Sequence, residues 1–160
     1  MSHPAANLSC ACPCATSKVV VPARPLARFV CHCMICQAVF KRPFADVTVH
    51  WAGKIALQDG HALHFKKYRL PPAVNRGFCT ACDSPVVGLL RLAPFVQLAF
   101  VASVNYPDQS LLPPPNAHIF YHSRVADIDD GLPKHSGYWR SELAVAAMVV
   151  SATLDESADL

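Results

Sequence analysis

Eight cysteines fall into three tight groups, Cys10-Ala-Cys12-Pro-Cys14, Cys31-His32-Cys33-Met34-Ile35-Cys36 and Cys79-Thr80-Ala81-Cys82. No other feature constrains the fold as much. Two cysteines one or two residues apart can each donate a thiolate from a single tight turn to a tetrahedral ion, with metal–sulfur distances of about 2.3 Å for zinc. The opening MSHPAANLSCACPC has neither the basic n-region nor the apolar h-region of a secretory signal. The expectation is therefore a cytoplasmic protein with reduced thiols, in which such groups act as metal ligands or reactive thiols rather than disulfides. A lone CxxC would be weak support, because redox motifs share it, but here no βαβ pattern surrounds it and two more groups lie upstream.

Two ligand arrangements satisfy the spacing. In one, a CxC pair and Cys79/Cys82 close a four-thiolate site, and Cys31, Cys33 and Cys36 hold a second ion with one position open. In the other, the spare thiol of the first group completes a second closed site. Two residues of chain span only about 7 Å, so that alternative requires neighbouring ions. Closed sites hold structure, whereas open ones can do chemistry.

The remaining composition fits one domain over 1–160, with its core at about 10–140 and a C-terminal helix at about 141–152. Hydrophobic residues make up 52% and charged ones 16%, which excludes a disordered tail or a solvated coiled coil. Fourteen prolines against six glycines leave little room for long helices. The longest apolar run, Leu143 to Val150, is far short of the ~20 residues needed to cross a bilayer. Strands are expected at 18–21, 47–51, 64–70 and 118–122, with a hairpin across 85–104, and Gly53 and Gly60 mark turns. A short helix is expected at 35–41. Ser141 is a candidate N-cap for the last helix, with the Tyr138-Trp139 pair packed beneath it and a loose DESADL tail after it. The stretch 106–116 is an irregular excursion, and Asp127, Asp129 and Asp130 lack the ligand set of a calcium loop and read as a solvated turn.

Ten of the 14 lysines and arginines lie in residues 1–78, where Asp46 and Asp59 are the only acids. That bias could face an anion. Its bases are scattered rather than clustered with aromatics, so a nucleic-acid partner is not expected.

The segments CPCATSKVVV (12–21), CHCMIC (31–36) and GFCTACDSP (77–85), in that order, resemble the glutathione-dependent formaldehyde-activating enzyme family, which includes centromere protein V relatives and has the Mss4-like fold. HIFYHSRVADIDDGLPKHSGY (118–138) resembles the C-terminal stretch of that family. The resemblance implies a mainly β fold of several small antiparallel sheets with one or two short helices, and two zinc ions. It implies a structural zinc on Cys12, Cys14, Cys79 and Cys82. It also implies a second, catalytic-type and more labile zinc on Cys31, Cys33 and Cys36, open to a thiol. Cys10 is then an extra thiol or an alternative ligand: Cys12/Cys14 places the following KVVV strand as the family has it, whereas Cys10/Cys12 matches a common Ser-Cys start at Ser9. The implied activity is that of a carbon–sulfur lyase joining glutathione and formaldehyde reversibly, and association as a homodimer is left open. Ala15 and Asp83 stand where the family commonly has glycine, and Gln37 where a basic residue is common.

Zinc with three thiolates is electron-rich, a poor generator of hydroxide but well suited to keeping a fourth thiol ionised near neutral pH. An anionic thiol would favour a basic clamp, for which Lys41, Arg42 and Arg76 are candidates. His32, flanked by two ligands, is expected to point away from the metal, and the other histidines have no metal-motif spacing. The competing readings are a zinc-stapled binding module for a protein or nucleic acid, and an iron–sulfur cluster on the same cysteines.

Overall fold

Runs of β-branched and aromatic residues cut short by proline or glycine give strands too brief to stand alone, so their stability comes from pairing and from shared burial. The computed structural model describes residues 6–58 and 62–159. In chain order it has β1 (Asn7–Ala11), β2 (Lys18–Pro22), β3 (Ala27–Cys31), α1 (Met34–Phe40), β4 (Ala45–Trp51), β5 (Ala56–Gln58), β6 (Leu63–Lys67), β7 (Asn75–Cys79), β8 (Pro85–Ala93), β9 (Val96–Ala102), β10 (Ala117–Ile119) and α2 (Tyr138–Ala158), with short 3-10 turns between some of them. The fold is mainly β. Two compact units divide it: the chain up to Pro25 with Val49–Pro113, and Leu26–Thr48 with the chain from Pro114 onward.

In the first unit β2 lies between β1 and β5, antiparallel to both, with Cys10 opposite Val19. The alternation of KVVVP puts Val19 and Val21 fully inside and turns Lys18 to solvent. Strands β9, β8, β7 and β6 follow one another in antiparallel order, with irregularities between Gly77 and Phe78 and between Arg91 and Ala93. Val86, Val87, Ala99 and Val101 join Val19, Val21 and Cys10 in one core. Gly88 has no left-handed backbone. It is there for space, because a Cβ at that point would meet Val74 Cγ1 at 2.7 Å. His50 is buried with its Nε2 2.8 Å from the Tyr106 hydroxyl, and burial pushes its pKa down to about 4.

In the second unit β3 lies between β4 and β10, running parallel to β10 with Ile119 beside Cys31. Arg28 grips Asp46 with two hydrogen bonds, Nε to Oδ1 at 2.9 Å and Nη2 to Oδ2 at 2.7 Å. The inner face of α2 packs on β3 and β10.

The expected strand at 118–122 stops at Ile119. Phe120 is left-handed (φ 51°) and opens a 3-10 turn over Tyr121–Ser123. The last helix starts three residues before Ser141, after Gly137 at φ 90°. Ser141 is not its cap: the buried hydroxyl accepts from Phe120 N–H (2.8 Å) and donates to the His135 carbonyl (3.3 Å), bracing the helix against the loop before it. The Tyr138-Trp139 pair begins α2 rather than lying beneath it, and Trp139 is 75% exposed. The helix continues through most of the tail expected to be loose, with Thr153 and Ser157 hydroxyls bonded back to carbonyls four residues earlier. The turn expected at Gly60 lies outside the described residues.

Candidate metal centres

The first centre is built from two hairpin tips in the first unit. β1 ends at Ala11 and β2 begins at Lys18, so Cys12 and Cys14 fall in the turn between them. Cys79 closes β7 and β8 begins at Pro85, so Cys82 falls in a second turn. The residue after the second cysteine of each pair is left-handed, Ala15 at φ 60° and Asp83 at φ 57°. That conformation favours glycine, so alanine and aspartate adopt it at a cost. The left-handed residue folds each tip on itself, with Ala15 N–H donating to the Cys12 carbonyl (2.9 Å) and Asp83 N–H to the Cys79 carbonyl (2.8 Å).

The four sulfurs of Cys12, Cys14, Cys79 and Cys82 lie within 4.8 Å of one another. Cys12 and Cys14 sulfurs are 3.4 Å apart, and Cys14 and Cys79 sulfurs 3.7 Å. Sulfurs placed about 2.3 Å from a tetrahedral centre are separated by about 3.8 Å, so the four residues fit a zinc-sized ion. None of the eight cysteines is in a disulfide. Electrostatics agree with that geometry. Hydrogen bonding from Ser17 and nearby backbone N–H groups pulls Cys79 down to about 6, a hydrogen bond from Ser84 lowers Cys82, and burial pushes Cys12 up to about 11. Bare sulfurs packed this closely cannot all ionise, whereas a divalent cation among them makes four thiolates compatible. The Ser17 N–H donates to Cys12 Sγ (3.4 Å), fixing one tip.

Cys10 belongs to neither sulfur group. It sits on β1 facing the core, fully buried, and burial pushes its thiol up to about 12. It behaves as a small apolar side chain.

The second centre lies in the second unit, where β3 passes into α1. Cys31, Cys33 and Cys36 sulfurs lie within 4.8 Å of one another, and no fourth Cys, His or carboxylate joins the group among the described residues. Cys33 caps α1, its sulfur accepting from Cys36 N–H at 3.3 Å. Cys31 and Cys36 are buried and Cys33 is partly exposed, so the group opens on the Cys33 side. Hydrogen bonds donated by its thiol to the Cys33 and Cys36 sulfurs, with burial, raise Cys31 well above its ordinary range. This crowding again suits a cation. Gln37 plays a structural part. Its amide donates to the His32 carbonyl (2.7 Å) and the Ser123 carbonyl (2.8 Å), holding the Cys-His-Cys turn in place.

His32 turns away from the sulfurs, towards a partner that its motif does not reveal. Its Nε2 is 2.8 Å from His118 Nδ1, and His118 Nε2 is 2.6 Å from Asp130 Oδ2. Lys134 Nζ reaches the other Asp130 oxygen at 2.9 Å. Both imidazoles are 1% exposed, and burial lowers the His32 pKa to about 4. His32 Nδ1 has no hydrogen-bond partner among the described residues. The expected solvated aspartate turn is in part an anchor: His118 and Lys134 hold the Asp130 carboxyl well below the usual range. Of the expected basic clamp, Lys41 and Arg42 lie at the far end of α1 from the cysteines and are exposed. Arg76 lies on β7, paired opposite Lys66 and Gly88. A hollow of about 220 Å³ in the first unit, lined in part by Lys67, Pro72, Asn75 and Arg91, includes no cysteine.

The fold is thus mainly β with a four-sulfur cluster at two hairpin tips and a three-sulfur cluster where a strand passes into a helix, two groups that could each hold a metal ion. Residues 7–123 match the model of the glutathione-dependent formaldehyde-activating enzyme family, and the chain belongs to that family. The match spans both sulfur groups and stops before α2. No curated protein matches the chain. Among the described residues no helix is long and apolar enough to cross a membrane.

Proposed function

We propose that this protein is a zinc-dependent carbon–sulfur lyase that reversibly joins a glutathione-like thiol to formaldehyde, working in a reducing compartment. In this reading Cys12, Cys14, Cys79 and Cys82 hold a structural zinc, and Cys31, Cys33 and Cys36 hold a second one. The observation that carries it is the three-sulfur group, which has no fourth ligand among the described residues and is open on the Cys33 side. Family membership supplies the reaction class.

Zinc on three thiolates supplies an environment in which an incoming thiol is kept ionised near neutral pH. The chain's own residues prepare the place. Cys33 caps α1 and presents the accessible edge, Gln37 fixes the turn, and the buried His32–His118–Asp130 line holds it from behind. The net reaction forms one bond between sulfur and the carbonyl carbon, and the thiol proton ends on the carbonyl oxygen. The reverse reaction breaks that C–S bond and returns the proton. No electrons are exchanged, so no redox partner is needed. Holding thiol and aldehyde together contributes through proximity as well as ionisation.

The test is zinc per chain by elemental analysis, before and after dialysis against glutathione. Two equivalents falling to one support a labile, thiol-responsive second site. Two equivalents that both survive mean closed sites and overturn the lyase reading, and a protein that holds no zinc removes its basis. Alongside, Cys33→Ser is expected to lower the protein's acceleration of adduct formation over the uncatalysed rate while leaving the far-ultraviolet spectrum unchanged.

A further inference from the structure

The helix α2 is apolar on two opposite faces. One face is used within its own unit, where Ser141 and Val149 are buried and β3 and β10 lie against it. The opposite face presents Trp139, Leu143, Ala146, Ala147, Val150 and Leu154, and its four large side chains are 57 to 75% exposed. The spacing from 139 to 154 keeps these residues on one stripe of a 3.6-residue helix, about 22 Å long at a rise of 1.5 Å per residue. A helix apolar all round is normally covered all round. The stripe runs large, large, small, small, large, large, and is symmetric about the point between Ala146 and Ala147.

We propose that this face is the interface of a homodimer in which α2 packs antiparallel against α2 of a second copy. A two-fold axis through the Ala146/Ala147 midpoint sets Trp139 level with Leu154 of the other copy and Leu143 level with Val150. The alanines sit at the crossing, where small side chains let two helices approach closely. Charge selects the antiparallel sense. The only basic residue of α2 is Arg140, in its first turn, while Asp155 and Glu156 lie in its last turns with Asp159 just beyond and no base among them. Acidic groups at a helix C-terminus oppose its dipole. An antiparallel copy brings its positive helix end and its Arg140 turn beside that acidic end, whereas a parallel copy stacks like charges. The same acidic end and lone arginine argue against a membrane surface, which favours lysine- and arginine-rich faces. One helix pair makes an interface at the small end of the size range, so the dimer is expected to dissociate on dilution.

The experiment is sedimentation velocity on the full zinc-loaded chain with reductant present, so that no intermolecular disulfide contributes. The expected result is a mass rising with concentration from 17.4 kDa towards twice that value. Ala147→Glu, which opposes like charges at the crossing and leaves the inner face untouched, is expected to weaken association at least tenfold with an unchanged circular dichroism spectrum. Arg140→Glu is expected to weaken it by a smaller factor, and Arg140→Glu with Asp155→Arg to recover most of that loss. The proposal is overturned by a monomer at concentrations on the order of 100 µM, by a dimer indifferent to Ala147→Glu, or by a charge swap that restores nothing. Flotation of the protein with neutral phosphatidylcholine vesicles, lost in Ala147→Glu, would equally overturn it by assigning the face to lipid.

Discussion

Ala15 is the most direct place to test whether the first centre is folded as described. It follows Cys14 at φ 60°, its N–H bonded to the Cys12 carbonyl at 2.9 Å, and its side chain is exposed. An L-residue with a Cβ costs about 1–2 kcal/mol in the left-handed region. Glycine removes that strain but gives back about 0.5–1 kcal/mol through its freer unfolded chain. No packing is lost, because nothing buries the alanine methyl. Ala15→Gly is therefore expected to stabilise the protein by about 0.5–1 kcal/mol, or roughly 1–4 °C in Tm for a chain of this size.

Asp83 provides the control. It occupies the equivalent place after Cys82 at φ 57°, but aspartate tolerates that conformation better than alanine, and its carboxylate lies 2.9 Å from His64 Nε2. Both partners of that pair are more than half exposed, so its contribution is at most about 1 kcal/mol. Strain relief and the lost pair then nearly cancel, and Asp83→Gly is expected within about 0.5 kcal/mol of the parent. The assay is denaturant unfolding of both variants at one fixed free zinc concentration, because bound metal adds its own stabilisation. If Ala15→Gly lowers stability, or the two glycines behave alike, the left-handed turn after each cysteine pair is wrong.

Three further outcomes follow from other parts of the structure. His50 takes its proton near pH 4 when folded and near 6.5 when unfolded, so below 6.5 the unfolded chain binds the extra proton and stability falls as pH falls to 4. The loss approaches about 3 kcal/mol, and denaturation midpoints over that range should fall less steeply in His50→Gln than in the parent. Gly88→Ala forces a methyl against Val74 and is expected to cost about 1–3 kcal/mol, with most of it recovered in the Gly88→Ala/Val74→Ala double variant, read by thermal unfolding. Cys79→Ser breaks the four-sulfur group and is expected to reduce bound zinc by one equivalent with a large fall in Tm, whereas Cys33→Ser should lose the other equivalent with Tm nearly kept. Equal Tm losses would mean that the two clusters share one structural role.

Much of the first centre could be read from spacing. CxC and CxxC demand tight turns, and the link between two paired strands is already such a turn, so two hairpin tips with convergent sulfurs follow from local chemistry. Spacing left two registers open for the first pair. In the structure Cys10 lies on β1 and faces the core, whereas Cys12 and Cys14 lie past the end of β1 where the chain has begun to turn. The helix was readable in type and not in extent. Ser141 looks like a cap in one dimension, and only the partner loop, 21 residues back at Phe120, reveals that its hydroxyl is already engaged.

The His32–His118–Asp130 line was beyond reach for a deeper reason. Its members are 86 and 12 residues apart in sequence, and each looks ordinary in its own window: a histidine between two ligands, a histidine in a short strand, an aspartate in a polar turn. What joins them is the parallel pairing of β10 with β3, which sets His118 beside Val30 and brings its ring to His32. The chemistry then constrains itself. Asp130 accepts from His118 Nε2–H, so a neutral His118 can only accept at Nδ1, and His32 must donate from Nε2. His32 Nδ1 is thereby left as a bare acceptor, in keeping with the orphaned atom found there. Asp130→Asn reverses that logic, because an amide oriented to donate to His118 Nε2 moves the proton to Nδ1 and inverts the His32 tautomer. Nitrogen-15 spectra of the histidine side chains should show both rings switching tautomer together. If His32 is unchanged in Asp130→Asn, the two imidazoles are not coupled and the line is only packing.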